Sequence, residues 1–146
     1  MGDRKLGGLS GKEVLELGPL EGAHSYMMEQ AGVKSVLALE SNTSSFVRCL
    51  IIKEILTLSK VRYFCGDFRP FLDANQHCFD LIFASGVLYH MTDPMRLLRE
   101  ISRSCRQVFL WTHYYDAPFV ERNDYVRNRL GPAQHLELDG LSYEIA

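Results

Sequence analysis

The sequence predicts an α/β fold, a mostly parallel, doubly wound sheet covered by helices on both faces. Three observations carry that expectation. Short apolar or β-branched runs alternate along the chain with longer helical patterns. The runs are nearly continuous in apolar character, as parallel strands covered on both sides are. The first run, Val14-Leu15-Glu16-Leu17, breaks into Gly18-Pro19-Leu20-Glu21-Gly22. Turns of this kind occur where a buried strand delivers its carboxyl end to a ligand.

Five strands are expected, at 13–17, 35–39, 61–65, 79–84 and 107–112. Helical patterns fall at 24–31, 44–58 and 94–103. In the second, Val47, Leu50, Ile51, Ile55 and Leu58 recur at three- and four-residue spacing, which predicts a buried stripe. Cys49, Ile52 and Leu56 add a second apolar strip, more than one sheet contact requires. That helix is expected to be buried on two sides, or covered by something outside the chain. In the third, Asp93 is placed to cap, Pro94 suits the first turn, and Leu97, Leu98, Ile101 and Cys105 face inward.

Beyond Thr112 the pattern changes. A helix is expected within 118–130, and two short strands within 136–145 around the Asp139-Gly140 turn. At 146 residues the chain is one domain's worth. Its core is expected over 13–113, with 114–146 a substrate-side or incomplete C-terminal segment. A three-layer α-β-α sandwich is the expectation.

Composition narrows the function. The apolar share is 47%, the charged share 23% and the net charge −2, as in an ordinary globular protein with no overall basic field for nucleic acid or anionic lipid. No apolar run is long enough for a transmembrane helix, and the first residues lack the apolar core of a signal peptide. Cys49, Cys65, Cys78 and Cys105 are scattered, with no Cys-x-x-Cys and no His/Cys cluster of metal spacing. Each lies in or beside an apolar stretch, so all four are expected to be buried free thiols. A cytoplasmic protein with no membrane anchor and no metal is the expectation.

The candidate site residues sit at the strand ends. Gly18 and Gly22 let the backbone turn tightly and approach a ligand, or form an ordinary strand-to-helix turn. Glu40 closes the second strand, where an ionised carboxylate accepts from both hydroxyls of a ribose, or is simply a solvated charge. Asp67 follows the third strand, placed for an adenine amino group, with Phe68 against the base; Gly-Asp is also common turn chemistry. Ala84-Ser85-Gly86-Val87-Leu88-Tyr89-His90 is a small-residue turn leading to an aromatic ring and an imidazole.

Taken together, these residues resemble the class I S-adenosylmethionine-dependent methyltransferases, whose fold is Rossmann-like. That family has a Glu/Asp-x-Gly-x-Gly-x-Gly loop after the first strand and acidic residues after the second and third. The segment Phe79–Pro94, FDLIFASGVLYHMTDP, is similar to its fourth-strand region, and the GVLYH form to its small-molecule and tRNA-modifying branches. The resemblance covers about residues 13 to 113. It implies that Glu16, Gly18, Gly22, Glu40, Asp67, Phe68 and Ser85 hold S-adenosyl-L-methionine. Leu20 departs from the pattern by replacing the middle glycine, and the segment after Thr112 is short, as in a truncated domain.

The spacing argues the same way. A dinucleotide pyrophosphate wants Gly-x-Gly-x-x-Gly, whereas here it is Gly-x-x-x-Gly with Glu21 inside, and no Walker loop follows. Glu16 is easier to place near a cationic methionyl group than near phosphate. Methyl transfer needs donor and acceptor held in line, with a base only if the nucleophile arrives protonated. His90 is the candidate base, unless it packs locally before the Asp93 cap. Tyr89, His113 and Tyr114, with Tyr115, are candidate walls of a pocket for a small-molecule or tRNA acceptor, or merely core edge. Arg96, Arg99, Arg103 and Arg106 form either a phosphate-contacting stripe or, on the better reading, a solvated outer face. A non-catalytic methyltransferase-like binding module is the alternative, and the fifth strand's exposed edge is expected to promote self-association.

Overall fold

The structure, a computed structural model, describes residues 7–74, 76–131, 134–138 and 140–145. Five strands form one parallel sheet: β1 (Glu13–Leu17), β2 (Ser35–Glu40), β3 (Val61–Cys65), β4 (Phe79–Ser85) and β5 (Cys105–Trp111). Their spatial order is β3-β2-β1-β4-β5. Leu17 pairs with Leu39 on one side and with Ala84 on the other, so the strand order reverses beside β1. A crevice opens at such a point, at the carboxyl ends of the strands.

Helices cover both faces. Met28 of α1 (Ala23–Gln30) and Cys49 of α2 (Thr43–Ile55) pack with Val14, Val36, Ala38 and Tyr63. On the opposite face, Leu72 of α3 (Phe68–Ala74) and Leu97 and Ile101 of α4 (Pro94–Ser104) pack with Leu15, Leu17, Ile82 and Ala84. Helix α3 has no counterpart among the expected elements, because Pro70 and a span of seven residues mask its periodicity. Helix α4 starts as expected, with the Asp93 carboxylate accepting from the Arg96 backbone N–H at 2.9 Å.

Several expectations are corrected. The stripe on α2 faces the other way: Val47, Leu50, Ile51 and Ile55 are exposed, whereas Ser45 and Cys49 are buried and only Leu58, beyond the helix, is buried as expected. Small side chains let α2 sit close to the sheet, and its phase is fixed by the Asn42 cap, whose side chain accepts from Ser45 N–H at 3.0 Å. The cysteines are not uniformly buried; Cys49 is, Cys105 is intermediate, and Cys65 and Cys78 are exposed. Nor is every strand covered on both faces, since most of β5 is exposed.

The chain divides into two compact units, 1–112 and 113–146. Within the second, the single helix expected over 118–130 is two short ones, α5 (Ala117–Glu121) and α6 (Asp124–Arg127). Asp116 and Asn123 interrupt it by capping the two segments, accepting from Phe119 N–H at 3.1 Å and Val126 N–H at 3.3 Å. Strands β6 (Gln134–Leu138) and β7 (Leu141–Ile145) pair antiparallel, as the turn signal predicts; Asp139 of that turn lies outside the described residues. Among the described residues no helix is long and apolar enough to cross a membrane.

Candidate functional site

The carboxyl ends of β1 and β2 are tied together by their loops. Gly18 N–H donates to the Leu39 carbonyl at 2.9 Å, and Gly22 N–H closes the turn onto the Pro19 carbonyl at 2.9 Å. Both glycines have left-handed backbones, φ 65° and 79°. Each also clears room for the protein itself. A Cβ on Gly18 would stand 2.9 Å from Val87 Cγ1, and one on Gly22 would stand 2.5 Å from the Tyr63 hydroxyl. Leu20, between them, holds φ 58° with its side chain 63% exposed. A branched residue there costs about 1–2 kcal/mol relative to a relaxed backbone, which is why glycine suits the position.

Glu40 clamps this turn. One carboxylate oxygen accepts from Leu20 N–H at 3.0 Å and the other from Asn42 N–H at 2.8 Å, with the residue buried. A carboxylate offers about four acceptor positions, so two remain for donors such as a ribose diol.

Beneath the loop lies a buried polar cluster. Glu16 is 1% exposed, and Oε2 accepts from the Ser25 hydroxyl at the start of α1. Oε1 has no hydrogen-bond partner and is 4.0 Å from His24 Nδ1. Burial pushes the Glu16 carboxyl up to about 7, the Ser25 hydrogen bond opposing and the Glu40 charge adding to the shift. Burial likewise pushes the Tyr63 hydroxyl and the Cys49 thiol up to about 12. The Cys49 Sγ donates to the Leu20 carbonyl at 3.4 Å, so this thiol supports the loop and is no nucleophile.

Asp67 follows β3 and is held by Arg69. Its Oδ1 accepts from Arg69 N–H at 2.9 Å and Nε at 3.0 Å, and its Oδ2 from Nε at 2.9 Å and Nη2 at 2.5 Å. The hydrogen bond from the Arg69 guanidinium holds the Asp67 carboxyl below its ordinary range. Phe68, expected against a base, is instead packed in the core with Leu17, Leu39 and Leu72. Ser85 ends β4, half-buried. Tyr89 and His90 follow in a 3₁₀ turn (Leu88–His90), both exposed, their rings 4.3 Å apart.

A parallel sheet brings Gly18, Glu40, Asp67 and Ser85 to one end of that sheet. Glu16 lies under that end and Phe68 behind it. His113 and Tyr114 open the second unit, where both are exposed. Three of the arginines on and after α4 are paired outward: Arg96 with Asp73 at 2.9 Å, Arg103 with Glu100 at 3.2 Å and Arg106 with Asp80 at 4.0 Å. Sequence reasoning missed Ser25, Tyr63 and Arg69. Only Arg69 left a signal, a cation two residues beyond the acid.

Comparison with known proteins extends this picture. A family model described as a methyltransferase domain matches residues 15–108. The tRNA U34 carboxymethyltransferase of Campylobacter hominis is 32% identical over 111 residues, 74% of this chain and 38% of that protein. Its counterpart in Marinobacter nauticus is 30% identical, over 77% and 35% respectively. The chain therefore spans little more than a third of either relative's length. Among solved structures, the N-terminal domain of EvdMO1 with SAH bound is 29% identical with a TM-score of 0.63, over 71% of this chain and 44% of that one. YcgJ of Bacillus subtilis shares the fold, with a TM-score of 0.65 at 18% identity over 80% of this chain and 50% of that one. Because the family match runs from the first strand into the fifth, through the glycine loop and every acidic strand end described above, the chain belongs to the class I S-adenosylmethionine-dependent methyltransferases.

Proposed function

We propose that this chain binds S-adenosylmethionine at the carboxyl ends of β1 to β4 and directs its methyl group to an acceptor. A tRNA-type acceptor is favoured by the names of the two bacterial relatives above, with a small molecule as the other class. The observation that carries the reading is Glu40. It is a buried acceptor-only group at the end of β2, fixed by two backbone N–H groups and keeping acceptor capacity for a diol. The donor chemistry fits further: Asp67 suits an amino group at the adenine end, and the turn holding Glu21 is unsuited to a pyrophosphate.

The bound cofactor would supply an activated methyl group together with its own leaving group. The protein's share is orientation. The Gly18–Gly22 turn and Glu40 would fix the ribose, Asp67 the base, and Ser85 the wall beside β4. Glu16, buried with one unpartnered oxygen, sets the polarity under the methionyl end. His90 would take a proton from an acceptor that arrives protonated, and Tyr89, His113 and Tyr114 would line the acceptor's path. A cytoplasmic setting fits a tRNA acceptor. A non-catalytic, cofactor-binding module is the second reading, favoured by the strained Leu20 in the glycine loop.

Calorimetric titration of the purified chain with S-adenosylhomocysteine and with NAD tests the cofactor. Binding of the first alone is expected, and binding of NAD would overturn the assignment. Transfer of a labelled methyl group to tRNA or to small-molecule pools then separates enzyme from binding module.

A further inference from the structure

We propose that Arg69 is a latch on the adenine end of the cofactor site: its guanidinium holds the Asp67 carboxylate and competes for it with an adenine amino group. This rests on the reading above that Asp67 receives that group. The geometry sets the amine against a charged competitor. Three N–H groups already meet the Asp67 carboxylate: the Arg69 backbone N–H at Oδ1, Nε shared between Oδ1 and Oδ2, and Nη2 at Oδ2. A carboxylate has about four acceptor positions, so these three N–H groups take most of them and neutralise its charge.

The latch is separable from the aim. When the guanidinium leaves, the backbone N–H of Arg69 still holds Oδ1 at 2.9 Å, and Asp67 stays pointed at the strand end. Release strands no buried charge, because the Arg69 side chain is 61% exposed. It also has somewhere to go. A cavity of about 370 Å³ between α3 and α4 is lined by Asp67 and Arg69, by Asp73, Asp93 and Glu100, and by Arg96. There the departing cation meets three carboxylates, with Arg96 already on Asp73 and Arg103 on Glu100. Adenine binding thus sets a neutral donor against a charged one on the same carboxylate, and the cofactor's affinity carries that cost.

Two consequences distinguish a latch from a residue that merely shapes the turn. Removing the guanidinium should tighten binding of an adenine-bearing ligand. Salt, which screens an exposed ion pair, should tighten wild-type binding more than that of the variant. The test is calorimetry with S-adenosylhomocysteine and S-inosylhomocysteine, whose base carries an oxo group in place of the amine, at low and high ionic strength. Arg69→Gln should tighten the adenosyl ligand roughly two- to fivefold, the range set by an exposed ion pair. It should widen discrimination against the inosyl ligand and abolish the salt enhancement. Arg69→Lys, which keeps the charge but loses the fork, should fall between. Weaker or unchanged adenosyl binding in Arg69→Gln, while Asp67→Ala weakens it, overturns the latch alone. Unchanged binding in Asp67→Ala overturns the reading of Asp67 and the latch with it.

Discussion

Strands β1 and β5 lie in the same parallel sheet, yet only one of them is buried. β1 carries a carboxylate in its middle, and Val14, Leu15, Glu16 and Leu17 are all buried to within 1% of complete. β5 runs Val108-Phe109-Leu110-Trp111 without a polar residue, yet Val108, Leu110 and Trp111 are 44%, 37% and 51% exposed. The difference lies in neighbours and not in composition. β1 is paired on both edges, by β2 and β4, and covered by both helix layers. Among the described residues β5 is paired only by β4. A strand's place in the sheet decides what its side chains are worth.

The first way to break the comparison is to remove the same group from both strands. Leu15→Ala deletes a side chain that is 0% exposed and should cost about 2–5 kcal/mol. Leu110→Ala, on a residue 37% exposed, should cost less than about 1 kcal/mol. Urea denaturation of the two variants checks this, and equal losses would show that β5 is buried in solution.

A smaller effect comes from the charge inside β1. The Glu16 carboxyl is raised from its ordinary 4.5 to about 7 by burial, so the folded state holds this proton more tightly than the unfolded chain does. Its contribution to stability is complete below pH 4.5 and lost as pH rises to about 7, where on the order of 3 kcal/mol is gone. Glu16→Gln, neutral and of the same shape, should flatten that slope and raise stability above pH 7 by up to about that amount. Thermal unfolding from pH 5 to pH 8 reads it. A slope that survives the substitution would place the titrating group elsewhere.

How much was legible follows the same division. All five strands lie within two residues of their expected bounds, because apolar runs closed by Gly18, Glu40, Gly66 and Gly86 mark strand and loop alike. The acidic strand ends followed from that frame, since a parallel sheet fixes which end faces the ligand. What failed was facing. The apolar residues of α2 occupy most of its circumference, so spacing alone could not say that Cys49 looks inward and Ile51 outward. Side-chain partnerships were equally hidden. Nothing in the sequence joins Ser25 to Glu16, or marks the Tyr63 hydroxyl as the group packed against Gly22. These contacts depend on where helices settle against the sheet, which is decided by the whole core.

The smallest effect on stability, and the sharpest on behaviour, concerns the outer edge of β5. Among the described residues no strand pairs with that edge, and an unpaired edge beside exposed apolar side chains is a template for a second chain. Self-association of this chain through β5 is therefore expected at high concentration. Leu110→Lys places a charge beside the edge without emptying a buried site, so it should shift stability by less than about 0.5 kcal/mol. Its apparent mass in sedimentation equilibrium should nevertheless fall towards the monomer. A wild-type chain that stays monomeric at the highest attainable concentration would mean that the edge is protected, and the contrast with β1 would then rest on side-chain exposure alone. Association that persists unchanged in Leu110→Lys would move the contact elsewhere, and the outward face of α2, with Val47, Ile51 and Ile55 exposed, would be the next surface to charge.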